Sequence, residues 1–195
     1  MTTFDYIRFT EEWAARYKPM QHTMKSDMNR HFFITDSYMT MVHFMAHPDP
    51  DTSPCIIAES QQEGEVEDGL DYPRYSFYFM VRADEMNDGK EAVASKRTAK
   101  HIMLDFVNFI RAFKYANEDT ETYAPILNAL TLEEDSYLYE LREAVLNGSR
   151  CMENLNVENF SYESINQMHD GWYGIQFSLE DKQLFGMCAD TSMYL

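Results

Sequence analysis

Between Lys90 and Tyr115 the apolar residues Val93, Ala99, Ile102, Met103, Phe106, Val107, Phe109, Ile110 and Phe113 recur at helical spacing. A recurrence of three and four positions marks a helix with one apolar face. Lys96, Arg97, Lys100, Asp105, Asn108, Arg111 and Lys114 supply its wet side. A stripe this broad, with three phenylalanines, requires a large partner surface. Two alternating segments offer one. From Tyr75 to Ala83, Tyr75, Phe77, Phe79 and Val81 share a face, with Arg74, Ser76, Tyr78, Met80 and Arg82 on the other. From Trp172 to Glu180, Tyr173, Ile175, Phe177 and Leu179 share a face. The pattern predicts an α+β fold, a small antiparallel or mixed sheet packed on one long helix. Because Tyr78 and Met80 are also apolar, the second face of that sheet is expected to be partly covered, by a neighbouring subunit for example.

The rest of the chain adds helices at the N-terminus and as an insertion. Phe4, Ile7, Trp13, Ala14 and Tyr17 predict a helix over 4–18, stopped by Pro19. Asp36 or Ser37 would cap a short helix ending at His47, with Tyr38, Met41, Val42 and Met45 on one side. A strand from Phe32 to Ala46 competes with it. Pro54–Glu59 reads as a short buried strand. The stretch 61–73, with Glu63, Glu65, Glu67, Asp68 and Asp71, reads as a solvated acidic loop. Asn87-Asp88-Gly89 turns into the long helix, and NEDTETYAP breaks the chain after it. Thr131 and Glu134 form a capping box, opening a helix with Leu138, Leu141, Val145 and Leu146 that closes at Asn147-Gly148. Leu155–Ile165 changes parity between Val157 and Phe160, which predicts a bulge. Asn166–Gly171 makes the next turn, and the tail after Glu180 is expected to be a loop or edge segment.

At 195 residues and without a linker, the chain is expected to form one domain over 1–195. Its formal charge is −17, from 33 acidic against 16 basic side chains. Such a surface repels phosphate backbones and acidic membranes, which argues against ordinary nucleic-acid binding. Cys55, Cys151 and Cys188 are odd in number and lack CxxC pairing, which predicts a reducing compartment with neither a disulfide framework nor a zinc site. The start of the chain has no secretory pattern, and no stretch reaches the ~18 apolar residues of a membrane span.

Candidate chemistry is sparse. His43 and His47 are four apart, as two metal ligands on a helix face would be, but no HExxH glutamate lies between them. Glu133, Glu134 and Asp135 suit a helix start electrostatically. The acids at 63, 65, 67, 68 and 71 do not follow calcium-loop spacing. GxGxxG and GxSxG are absent. No catalytic, cofactor or metal residue is nominated. The basic helix face, Lys96, Arg97, Lys100, Arg111 and Lys114, is unusual in so acidic a chain, and is the candidate oligomer interface. The candidate lumen or partner-contact surface is the acidic segment.

The PCIIAE strand with its loop, the YSFYFMV strand, the KRTAKHIMLDFVNFI helix and the closing pair NFSYESINQMHDGWYGIQFSLE form an ordered set. In that order the chain resembles the tail-terminator (tail-completion) proteins of long-tailed bacteriophages and the related head-to-tail joining and neck proteins. The resemblance implies a ring, commonly of six copies, that caps the tail tube and docks the head connector, with no catalytic residues or cofactor. It also implies residence in the virion, and in the host cytoplasm during assembly. DNA would pass an acidic lumen without being held, because like charges remove the gain from counterion release. The helix expected over 131–148 departs from the family pattern. Two other function classes compete: an acidic regulator that mimics DNA, and a metal-dependent enzyme using His43 and His47.

Overall fold

The computed structural model of the chain describes residues 4–20, 22–23, 30–36, 52–60, 63–67, 70–83, 89–168 and 171–184. In chain order the elements are α1 (Tyr6–Arg16), β1 (Phe32–Thr35), β2 (Cys55–Glu59), β3 (Glu63–Glu67), β4 (Leu70–Arg82) and α2 (Gly89–Lys114). They continue with α3 (Ala124–Asn128), α4 (Tyr137–Leu146), β5 (Leu155–Met168), β6 (Trp172–Asp181) and β7 (Gln183–Leu184). One mixed sheet runs β1-β2-β4-β6-β5, with β3 and β7 flanking the start of β4. Among the described residues only β1 and β2 pair in parallel. The α+β fold read from the sequence is the fold observed.

Each helix has a local cause. Asp5 caps α1, its carboxylate accepting the N–H groups of Ile7 at 3.1 Å and Arg8 at 3.0 Å. The helix α2 buries Ala99, Ile102, Met103, Phe106, Val107, Ile110 and Phe113 against the sheet. Phe77 stands opposite Phe177 and Phe79 opposite Ile175 in the β4–β6 ladder, so the face under α2 is aromatic in register. Phe106 meets four rings there, Phe9, Trp13, Phe77 and Phe79, at centroid distances of 5.0–6.0 Å. Val93 departs from the expected stripe. It is 57% exposed, because it stands about 120° round the helix from the centre of the buried stripe, beside the exposed Arg97 and Leu104.

The second face of the sheet corrects an expectation. Tyr78 and Met80 are 2% and 0% exposed within a single chain, clustered with Cys55, Ile57 and Trp172. No neighbouring subunit is needed to cover them, so a half-covered sheet no longer argues for self-association. Gly174 belongs to this close approach. A β-carbon there would sit 2.5 Å from the Phe79 carbonyl oxygen and 2.4 Å from Met80 Sδ, so only glycine fits.

Four further expectations shift. The acidic stretch is a hairpin rather than a loop, for β3 pairs with β4 from Glu63↔Arg74 to Glu67↔Leu70. Backbone hydrogen bonding requires no apolar side chains, and the two intervening residues are Asp68-Gly69, a sequence favoured in two-residue hairpins. The inserted helix begins at Tyr137, not after Thr131, with Ser136 as its cap. A five-residue helix, α3, starts at the end of the expected polar break. The start of the competing strand, Phe32–Thr35, is β1, whereas the helix expected as far as His47 falls on residues outside the described ones. The predicted bulge in β5 is present, as a register shift between Asn156 and Ser161. The tail contributes a short edge segment, β7.

Candidate interaction surface

The basic residues of α2 stand beside β5 in reverse order, because helix and strand run antiparallel. Lys96 Nζ donates to Asn166 Oδ1 at 2.7 Å, and Lys100 Nζ to the Tyr162 hydroxyl at 2.6 Å. Arg111 donates through Nε at 3.1 Å and Nη2 at 2.9 Å to the Val157 carbonyl, and Lys114 Nζ donates to the Leu155 carbonyl. Val157 lies where β5 parts from β6, so its carbonyl lacks a partner in that ladder and Arg111 supplies one. Tyr115 extends the seam by donating to Glu158 at 2.7 Å. Burial first, and then that hydrogen bond, push its hydroxyl pKa up to about 12. Four of the five basic candidates are thus engaged inside the chain and half-buried. Arg97 is the one that is exposed.

The acidic candidates lie elsewhere on the sheet. Glu63, Glu65 and Glu67 take alternate positions of β3, Asp71 pairs opposite Val66, and Asp68 is outside the described residues. His43 and His47 are outside them too. Glu133, Glu134 and Asp135 are exposed and precede α4 instead of forming its first turn.

The carboxylate that does hold the start of α4 is Glu12, from α1. Its Oε1 accepts the Tyr137 N–H at 2.7 Å and its Oε2 the Leu138 N–H at 2.9 Å, at 5% exposure. Two backbone donors and the helix dipole together stabilise this buried charge. A signal for it was present in the sequence: Glu12 is an ionic residue flanking the apolar stripe of Phe9 and Trp13.

Beside Glu12 a groove of about 820 Å³ opens between α1 and residues 131–136, lined by Arg8, Glu11, Arg16, His22, Thr131 and Asp135 among others. His22 Nδ1 accepts the His31 N–H at 3.1 Å, which places the proton of the neutral ring on Nε2, 3.8 Å from Glu11 Oε1. His31 Nδ1 lies 2.8 Å from the Pro54 carbonyl, so this pair of histidines ties residue 22 to the start of β1 and the start of β1 to that of β2. Burial, reinforced by Glu12 and opposed by Arg30, raises the Glu11 pKa. An acid raised in the folded state contributes stability that is complete below its unfolded pKa, about 4.3, and is lost as pH rises through the folded value. Glu11→Gln is therefore expected to make urea unfolding less pH-dependent across the weakly acidic range, and to cost nothing at pH 7. A marked loss of stability at pH 7 would show that the ionised carboxylate is needed.

No helix among the described residues is long and apolar enough to cross a membrane. No protein-family model matches the chain, and no curated protein matches it.

Proposed function

We propose that this chain is a structural subunit of an oligomeric ring at the tail terminus or head–tail neck of a long-tailed bacteriophage. It would be present in the virion and, during assembly, in the host cytoplasm, touching tail-tube and head-connector proteins. The observation that carries this reading is the packing of α2 across β4, β6 and β5, with β5–β6 as the closing pair. It joins in one packed unit the segments in whose order the chain resembles that family. The charge distribution also supports it. A chain of −17 that still presents an exposed arginine on its long helix has oppositely charged surfaces to offer another copy.

Sedimentation of the purified full chain tests the reading. The expected result is concentration-dependent association, ring-shaped in electron micrographs and weakened by salt, since exposed charge contacts are screened. A particle that stays monomeric at millimolar concentration and in the presence of tail tubes would refute it.

One observation favours a second reading, an acidic regulator that mimics DNA. Glu63, Glu65 and Glu67 stand at alternate positions of a strand and not in a loop, so negative positions repeat every ~6.6–6.8 Å. Salt-dependent displacement of DNA from a nucleic-acid-binding enzyme, with no self-association, would select that reading instead.

A further inference from the structure

Resting on the reading of this chain as a self-associating subunit, we infer that β5 pairs edge to edge, antiparallel, with β1 of a second copy. These are the two terminal strands of the sheet, and no described strand pairs the outer edge of either. Hydrogen bonding shows what β1 offers. The His31 and Thr35 carbonyls accept the Ile56 and Ser60 N–H groups on the β2 side. Backbone groups alternate in direction along a strand, so those of Phe32 and Ile34 turn outward. On β5 the register with β6 is regular from Ser161 to Ile165 and shifts on either side of that stretch. The regular stretch is long enough to take the whole of β1, Phe32–Thr35.

The side chains agree on one register. Ile34 is 51% exposed and Tyr162 is 42% exposed, and they are the two exposed large hydrophobic side chains of the sheet among the described residues, one on each edge. Both stand on the helix-covered face. Ile34 shares its parity with Phe32 of the main core, and the Tyr162 hydroxyl accepts from Lys100 of α2. Ile34 opposite Tyr162 makes an aromatic–β-branched cross-strand pair, and the same register sets Phe33 opposite Glu163 on the other face. The Arg30 guanidinium lies over the Phe33 ring, 5.3 Å from its centroid, so this register also brings a cation to Glu163. Arg30 and Glu163 are both exposed, and neither joins an ion pair among the described residues. Arg30 Nε reaches the outward Phe32 carbonyl at 3.4 Å, a long bond that an N–H of the incoming strand would replace.

Strand direction fits as well. β1 and β2 run together, β4 opposes them, β6 opposes β4 and β5 opposes β6, so β1 and β5 run in opposite senses. Copies related by rotation about an axis along the strands keep both strand sense and helix face. The β5 edge of each then meets the β1 edge of the next antiparallel, with Ile34 and Tyr162 on one side of the joined sheet. Because the two edges differ, the contact is head-to-tail, the kind that closes into a ring when the rotation allows and leaves no edge free.

The test uses full-length variants, each first shown to be folded by circular dichroism. Arg30→Glu and Glu163→Arg each set like charges opposite one another, and each is expected to weaken sedimentation-measured association about fivefold or more. The double variant R30E/E163R restores an opposite pair at every contact and is expected to recover association. Hydrogen exchange reports on the backbone: when the wild type assembles, the amide of Ile34 and amides within Ser161–Ile165 should gain protection. Suppose the wild type assembles, but a single variant assembles equally well, the double variant fails to recover, or those amides stay unprotected. Any of these makes the pairing wrong while the ring survives. A wild type monomeric under every condition removes the self-association reading itself, and this pairing with it.

Discussion

Phe106→Ala is expected to unfold the chain more readily than truncation of any other residue on α2, by about 3–5 kcal/mol. The side chain is 1% exposed and stands at the centre of rings contributed by two separate parts of the chain. Phe9 and Trp13 come from α1 at 6.0 and 5.0 Å, Phe77 and Phe79 from β4 at 5.3 and 5.6 Å. Part of the cost is lost apolar burial, and part is the cavity left among rings anchored to a strand and a helix that cannot both move inward. Edge-to-face contacts add about 0.5–1.5 kcal/mol per pair beyond burial. For a chain of this size, a loss of that order lowers the melting temperature by roughly 6–20 °C. Phe106→Leu keeps most of the volume and should cost markedly less. Phe109→Ala is the internal control, since Phe109 is half-buried at the rim of the same cluster. Equal losses for Phe106→Ala and Phe109→Ala in urea titrations would mean that the rings rearrange freely and that Phe106 is no centre.

The elements that the sequence revealed are those whose own side chains carry the period. In α2 seven core positions keep the helical recurrence without a glycine or proline among them, so both helix and face were legible. Only Val93 misled, because its place round the helix puts it beside Arg97 and Leu104 and away from the buried stripe. The alternation in β4 and β6 was equally plain. It even showed Tyr78 and Met80 as apolar, though not that atoms of the same chain would bury them. β3 was illegible by hydrophobic pattern, since its pairing with β4 is made by backbone groups and its side chains are mostly acids. The capping box put the start of α4 after Thr131, which has a glutamate three residues on, whereas the cap observed, Ser136, has none. A contact from Glu12, more than a hundred residues away, favours the later start. The basic residues of the candidate surface were found by charge alone. Their partners include two backbone carbonyls of β5, and sequence carries no mark of a carbonyl left without a partner by a bulge. Arg97 could be told from Arg111 only after the strand was in place.

That remote cap leads to the second large effect. Glu12→Ala is expected to destabilise the chain by roughly 2–4 kcal/mol, because it leaves the Tyr137 and Leu138 N–H groups buried without an acceptor, at ~1–3 kcal/mol for each such group. It also removes negative charge from the positive end of α4 and leaves Arg16, whose Nη1 lies 3.9 Å from the carboxylate, without that counter-charge. Glu12→Gln should fall between the two, because its amide offers one oxygen to two donors and turns an NH₂ group toward the second. The local cap provides the comparison. Ser136 accepts the Tyr139 N–H at 3.2 Å at the partly exposed end of α4, so Ser136→Ala should cost about 1 kcal/mol. Hydrogen exchange gives the readout of mechanism. With Glu12→Ala, amides at the start of α4 should exchange much faster, while those of α2 change only as far as global stability falls. Should Ser136→Ala prove as costly as Glu12→Ala, or the amides of Tyr137 and Leu138 keep their protection without Glu12, then α4 is held by its own sequence and not by α1.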